Sequence, residues 1–140
     1  MSGPLRLLFI DDQETDLIFI EDLLTDTLLD VSFTARTSAA DALQYLASTE
    51  ILPHLIVLDL HLTGLSGLEF LAAVRYSKRT QCIPVVVRSG SADPQHHADA
   101  LAAGAQTSLV KPFSYADQLA QMLDLYETWE HLRYDAKGHA

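Results

Sequence analysis

Asp59 closes an unbroken apolar run, Leu55-Ile-Val-Leu58, that is bounded by Pro53 before it and Gly64 after it. A short run of that kind reads as a strand buried on both faces. Asp59 therefore stands where the strand leaves its sheet. In open α/β sheets that carboxyl end is where ligands bind and chemistry is done. An aspartate there also suits a turn, so its meaning depends on what reaches the same edge. Asp11 and Asp12 follow the apolar run Leu5–Ile10, Ser89 follows Ile83-Pro-Val-Val-Val87 and Arg88, and Lys111-Pro112 follows Thr107–Val110. Three carboxylates brought together repel one another and are stable as ions only with a cation between them. An all-oxygen set suits a hard ion such as Mg²⁺. A hydroxyl and an ammonium beside a metal and a free carboxylate are what a phosphoryl group needs. The carboxylate attacks phosphorus, the cations neutralise the equatorial oxygens, and the hydroxyl donates to one of them.

The elements that would position these residues alternate. The spacing of Leu17, Ile20, Leu24 and Leu28 predicts a helix over Gln13–Leu29. Val31, Phe33 and Ala35 alternate with polar neighbours, as in a second strand over Val31–Arg36. Ser38 caps a helix carrying Ala42, Leu43 and Leu46. A helix over Gly67–Ser77 carries Leu68, Leu71, Ala72 and Arg75. Asp93-Pro94 is a capping carboxylate followed by proline at the first helical position, and that helix carries Ala98, Leu101 and Ala102 and stops at Gly104. Ser114 and Asp117 predict a capping box for the last helix. Strands alternating with helices are parallel strands joined by right-handed crossovers. The expected fold is α/β: a flavodoxin-like, doubly wound, five-stranded parallel sheet of order 2-1-3-4-5 with an extended C-terminal helix. That order sets strands one and three side by side, so Asp11, Asp12 and Asp59 converge.

The bulk properties exclude several classes. The 140 residues suit one domain with a real core, expected over about 5–126, with a helical extension over 127–134 and a tail over 135–140. A net charge of −10 argues against a nucleic-acid surface, which needs a basic face. Cys82 is the sole cysteine, so no internal disulfide forms and a cytoplasmic location is expected. No signal peptide is read, and no apolar run approaches the roughly 20 residues of a membrane span. No DNA-binding output module is expected.

In this order and spacing the motifs resemble the receiver domain of two-component response regulators. The pattern is an acidic pair after strand one (Asp11-Asp12), an aspartate after strand three (Asp59), Thr/Ser after strand four (Ser89) and Lys-Pro after strand five (Lys111-Pro112). Pro84 and Ala103-Gly104-Ala105 also fit, and the likeness runs from Leu5 to about Tyr126. It implies that Asp59 is the phosphoacceptor for a sensor histidine kinase and that Asp12 and Asp59 bind Mg²⁺. The backbone carbonyl of His61 would be a further ligand, and Asp11 would act largely through water. Ser89 and Lys111 would hold phosphoryl oxygens, and the Lys111–Pro112 bond would be cis. The expected function is a single-domain response regulator, a signalling protein rather than an enzyme acting on a substrate of its own, which signals by altered protein–protein interaction. A pseudo-receiver that binds a partner without phosphorylation is the alternative. A phosphatase of the haloacid dehalogenase type would need a second carboxylate two residues after the nucleophile, where Gln13 and His61 stand.

Four positions depart from the family pattern. Thr63 replaces a usual proline, Ser89 the commoner threonine, Ser108 a usual aromatic residue, and Arg88 a usual apolar one. The Arg88 stem is expected to be buried with its charge snorkelling out; contact with the phosphoryl group or with a carboxylate of the fourth helix is the other reading. His96 and His97 are expected on a solvated surface, and His61 is either a bystander or an influence on water at Asp59.

Two surfaces are expected to bind protein. Leu17, Ile20 and Leu24 take the core stripe of the first helix, leaving Phe19 and Leu23 partly toward solvent, with Phe19 as kinase-docking anchor or as a contact of the last helix. The last helix runs on to about Tyr134, some twenty residues or ~30 Å, over a strand of only ~17–20 Å. Leu119, Met122, Leu123 and Tyr126 face the core, and the final turns with Leu125, Trp129, Leu132 and Tyr134 overhang or bend back. This aromatic-rich extension resembles those of stand-alone receivers that partner bacterial phytochrome kinases. It implies a homodimer in which Tyr126, Trp129, Leu132 and Tyr134 form the interface.

Overall fold

The computed structural model describes residues 3–134. The tail expected over 135–140 lies outside the described residues. Five strands form one parallel sheet of order β2-β1-β3-β4-β5, as expected. In chain order the elements are β1 (Leu5–Ile10), α1 (Glu14–Thr25), β2 (Val31–Arg36), α2 (Ala39–Ser48), β3 (Leu55–Leu58), α3 (Gly67–Tyr76), β4 (Val85–Ser89), α4 (Pro94–Ala102), β5 (Thr107–Val110) and α5 (Tyr115–Trp129). A 3₁₀ segment, Glu130–Tyr134, closes the described chain.

Strand alternation divides the core in two. Leu8, Ile10, Ile56, Leu58, Val85 and Val87 face one side, with Phe70, Leu71 and Val74 of α3 and Leu46 of α2. Leu5, Leu7, Phe9, Leu55, Val57 and Val86 face the other, with Leu17, Ile20, Leu23 and Leu24 of α1 and Met122 and Leu125 of α5. The central strands are buried on both faces, which is why they read as unbroken apolar runs. Strand β4 starts at Val85 rather than Ile83, because Pro84 has no N–H to donate and contributes only its carbonyl, 3.0 Å from the Ile56 amide.

Several helical faces differ from expectation. Helix α1 stops at Thr25, and Leu28 is fully exposed. The Thr27 hydroxyl donates to the Leu24 carbonyl at 2.7 Å and accepts from Leu29 N at 3.3 Å, local bonds that compete with another helical turn. Leu23 is buried rather than solvent-facing. Helix α3 buries Gly67, Phe70, Leu71 and Val74, one face over from the expected stripe, and Leu68 is exposed. Helix α4 buries Ala100 alone; Ala98, Leu101 and Ala102 are exposed. In α5 the buried residues are Met122 and Leu125, and Leu123 is exposed. Ser114 accepts from the Asp117 amide at 3.1 Å as one half of the expected box; the reciprocal box is built at Ser66 and Glu69, heading α3.

The final turns bend back rather than overhang. Trp129 and Leu132 pack against the β1–α1–α5 side of the core, as does Tyr126. Arg133 fastens them, donating to the Gly3 carbonyl at 2.9 Å, the Tyr126 hydroxyl at 2.8 Å and Asp30 at 2.8 Å. Of the four expected interface residues, Tyr134 alone is exposed.

Candidate functional site

Strand register assembles the site. Ile10 pairs with Leu58, so Asp11 and Asp59 leave the sheet side by side, and the Asp59 amide donates to the Ile10 carbonyl at 2.9 Å. Ser89 pairs with Val110, which brings Lys111 to the same edge; the Lys111 amide donates to the Ser89 carbonyl at 2.8 Å. Gly67 presses the loop after Asp59 against the start of α3. A Cβ there would lie 2.7 Å from Leu60 Cα and 2.8 Å from the Asp59 carbonyl oxygen.

Asp11 and Asp59 are buried and Asp12 is half-buried, and each offers a carboxylate oxygen within 4.8 Å of the others. The Lys111 ammonium lies among them, donating to Asp11 at 2.7 Å and to Asp59 Oδ2 at 3.2 Å. It also reaches Asp16 of α1 at 3.2 Å. The second oxygen of Asp59 accepts from the His61 amide at 3.0 Å, and Asp11 Oδ1 accepts from the Gln13 amide at 2.9 Å. Ser89 is fully buried, and its hydroxyl oxygen accepts from the Ser91 amide at 3.1 Å. The Ser89 proton is thereby left for another acceptor.

Burial pushes the Asp11 carboxyl above its ordinary value, against the hydrogen bonds from Lys111 and Gln13. Burial alone would lower Lys111. The hydrogen bond to Asp11 and the charges of Asp59 and Asp11 outweigh it, so the ammonium is held above its ordinary value. One cation among four carboxylates leaves the pocket negative, and the three oxygens within 4.8 Å suit a hard divalent ion. The donor set thus fits Mg²⁺, which Asp11, Asp12 and Asp59 would hold.

The sequence-predicted residues Asp11, Asp12, Asp59, Ser89 and Lys111 come together at one edge. Sequence reasoning missed Asp16, in the first turn of α1, and gave no role to Thr63, whose hydroxyl donates to Asp12 at 2.9 Å. The proline usual at that position has no such donor. The Lys111–Pro112 bond, implied to be cis, is trans: among the described residues no peptide bond is cis. Trans is favoured at X–Pro bonds by about 0.5–1 kcal/mol. Arg88 does not snorkel. It is only 4 % exposed, and its guanidinium bonds Gln118 and Gln121 of α5 rather than a carboxylate of α4. Burial pulls its guanidinium below the ordinary value, against the charges of Asp11, Asp16 and Asp59.

His96 keeps the expected surface position, its side chain 41% exposed, whereas His97 is half-buried, and both are also hydrogen-bonded. His96 meets the Ser91 hydroxyl at 2.7 Å and its ring lies edge-on to that of His61, centroids 4.9 Å apart. His97 bonds the Ser91 carbonyl at 2.7 Å and, through its other nitrogen, the hydroxyl of Ser108. Phe19 is 38 % exposed, and its ring lies edge-to-face with Tyr115 of α5, centroids 6.0 Å apart.

Residues 7–124 match the response regulator receiver domain family. The chain belongs to that family. It is 32% identical over 115 residues to the "Probable chemotaxis protein CheY" of Rhizobium etli, covering 81% of this chain and 86% of that protein. The receiver fold is shared with the crystal structure of the phosphorylated cyanobacterial phytochrome response regulator RcpA. The TM-score is 0.83 at 21% identity, over 91% of this receiver and 94% of that chain. The bacteriophytochrome response regulator RtBRR is similar at 29% identity and a TM-score of 0.70, over 87% of this receiver and 78% of that chain. Among the described residues no helix is long and apolar enough to cross a membrane.

Proposed function

We propose that this receiver is a phosphoacceptor switch: Asp59 takes a phosphoryl group from a histidine kinase phosphohistidine in a Mg²⁺-dependent reaction, and the change is read by protein partners. The observation that carries the proposal is the buried Asp59 carboxylate, 3.2 Å from Lys111 Nζ and within 4.8 Å of the other two aspartates. An Asp59 oxygen attacks phosphorus; the new P–O bond forms as the P–N bond to the kinase imidazole breaks, and the imidazole nitrogen keeps that electron pair. Lys111 transfers its hydrogen bond from Asp59 Oδ2 to an oxygen of the arriving group. Ser89 donates its unused proton to another. When bound, Mg²⁺ supplies charge neutralisation for the phosphoryl oxygens.

A kinase of the phytochrome type is proposed as the partner, on the likeness to RtBRR and on the extended last helix. Docking is proposed at Phe19 and the neighbouring exposed Ile18. A homodimer through the outward face of α5 and the 3₁₀ segment after it is proposed from the exposure of Leu123 and Tyr134. Labelling with acetyl phosphate tests the central reaction. Wild type is expected to gain one acid-stable, alkali-labile phosphoryl group only with Mg²⁺, and Asp59→Asn none. Wild-type labelling of Asp59→Asn would place the acceptor elsewhere, and a folded wild type that takes no label would favour the pseudo-receiver.

A further inference from the structure

Arg88 is a buried cation that the phosphoryl-transfer chemistry leaves without a task. It shares its face of β4 with Val86, under α5. Among the described residues no carboxylate lies within ion-pair distance of it. A buried guanidinium without an ion pair is costly, and an apolar side chain of similar volume would fill the space more cheaply. What it holds is two amides of α5. Its Nε donates to Gln121 Oε1 at 2.7 Å, and its Nη2 donates to Gln118 Oε1.

Arginine has donors and no acceptor, so both glutamines must turn their oxygens to it and their NH₂ groups away. Those NH₂ groups land on two specific carbonyls. Gln118 Nε2 donates to the Pro112 carbonyl at 2.9 Å and Gln121 Nε2 to the Val110 carbonyl at 3.0 Å. Val110 and Pro112 are the residues on either side of Lys111. The amide of Lys111 itself is tied to the carbonyl of Ser89, the residue after Arg88. The backbone that carries the ammonium is therefore pinned before, at and after Lys111, and each pin leads to Arg88 or its neighbour.

We propose that Arg88 is a positioning residue for phosphoryl transfer, orienting Lys111 through Gln118 and Gln121. The planar fork of a guanidinium can hold two amides at once; a lysine ammonium cannot do so in a fixed geometry. Misplacing a reacting group by about 1 Å can cost ~10²-fold in rate, which gives this clamp something to prevent. The inference rests on the phosphoacceptor reading.

The test compares wild type, Arg88→Met, Lys111→Ala and the double variant, each shown to be folded by its thermal unfolding. Two quantities are measured: the labelling rate with acetyl phosphate, and Mg²⁺ affinity before labelling. Arg88→Met is expected to slow labelling about tenfold in the wild-type background. In the Lys111→Ala background, where the group it positions is gone, it should slow labelling less than twofold. Mg²⁺ affinity should not weaken, since a positive charge has been taken from beneath three carboxylates. Equal slowing in both backgrounds, or a parallel loss of Mg²⁺ affinity, would show general damage and overturn the proposal. Arg88→Lys keeps the charge and loses the fork; it should be as slow as Arg88→Met, and recovery of the wild-type rate would mean that charge alone matters. Should Arg88→Met fail to fold, the pair Gln118→Glu and Gln121→Glu keeps acceptors for Arg88, now charged, and removes the donors to Pro112 and Val110. A wild-type rate in that pair would also overturn it. Normal wild-type labelling with additive variants rejects the role of Arg88 alone, whereas a wild type that takes no label removes both readings.

Discussion

Gly67 has no functional group, yet it sets where Asp59 can be. The missing Cβ leaves room for the Leu60 Cα and the Asp59 carbonyl, both under 3 Å from where it would stand. Those are backbone atoms, which cannot rotate away as a side chain can. Gly67→Ala is therefore expected to destabilise the fold by about 1–3 kcal/mol and to slow labelling of Asp59, whose loop must shift. Urea unfolding and acetyl phosphate labelling of the same preparation check both; stability within error of wild type would show that the loop yields freely. In the sequence, Gly67 marks only a helix boundary, because a close approach of two backbones leaves no composition signal. Asp59 and Ser89 were legible because each ends a strand that its apolar run announces, and Lys111 because the Lys-Pro pair follows the last short strand. Asp16 and Thr63 were not: each meets its partner across the fold, Asp16 with Lys111 and Thr63 with Asp12. A polar residue in a first helical turn or a loop looks like any solvated one.

At the scale of elements, the sheet order and all ten strands and helices were readable, and helical faces were read less well. In α3 the pattern Gly67, Phe70, Leu71, Val74 has the spacing of a buried stripe, yet Leu68, Ala72 and Arg75 compete for it in the sequence. The choice is made by what the helix packs on. Here Arg75 is drawn to the carbonyls of Gly104, at 2.8 and 3.1 Å, and of Ile83, at 2.8 Å. Helix α1 shows the same ambiguity at Phe19. Its ring is part exposed and part engaged with Tyr115, so it can serve a kinase, the packing of α1 on α5, or both. Phe19→Ala is expected to slow transfer from the cognate kinase by about tenfold, in line with the loss of an aromatic anchor, and to leave labelling by acetyl phosphate unchanged. Equal slowing of both reactions would show that the ring works through Tyr115 rather than through the kinase.

Over the whole molecule, the end of the sheet opposite Asp59 is sealed by the end of α5 and the 3₁₀ segment Glu130–Tyr134. His54 accepts from the Arg6 amide at 2.9 Å and lies near Arg133; burial, then the charges of Arg6 and Arg133, lower its pKa from 6.5 to about 4. The folded state thus resists protonation that the unfolded chain accepts. The stability His54 contributes is present above the unfolded value of 6.5 and is lost as the pH falls toward 4. His54→Asn retains an acceptor for Arg6 and removes the titration, so the variant should lose less stability than wild type between those values, and parallel pH profiles would exclude the effect. The seal itself consists of Trp129, Leu132 and Arg133, which pack and bond within their own subunit. A chain ending at Leu125 should consequently be less stable by roughly 2–3 kcal/mol, since the half-buried Trp129 and Leu132 and the bonds of Arg133 are lost together. That cost separates the tail's role inside the subunit from any role between subunits. If pairing uses the outward face of the last helix, Leu123→Glu should give a monomer of wild-type stability, because Leu123 is exposed and outside the core. Trp129→Ala should instead destabilise the subunit. Light scattering at concentrations of tens of micromolar, beside urea unfolding of each variant, distinguishes the two. A monomeric wild type, or a Leu123→Glu variant that still dimerises, would remove that face as the contact.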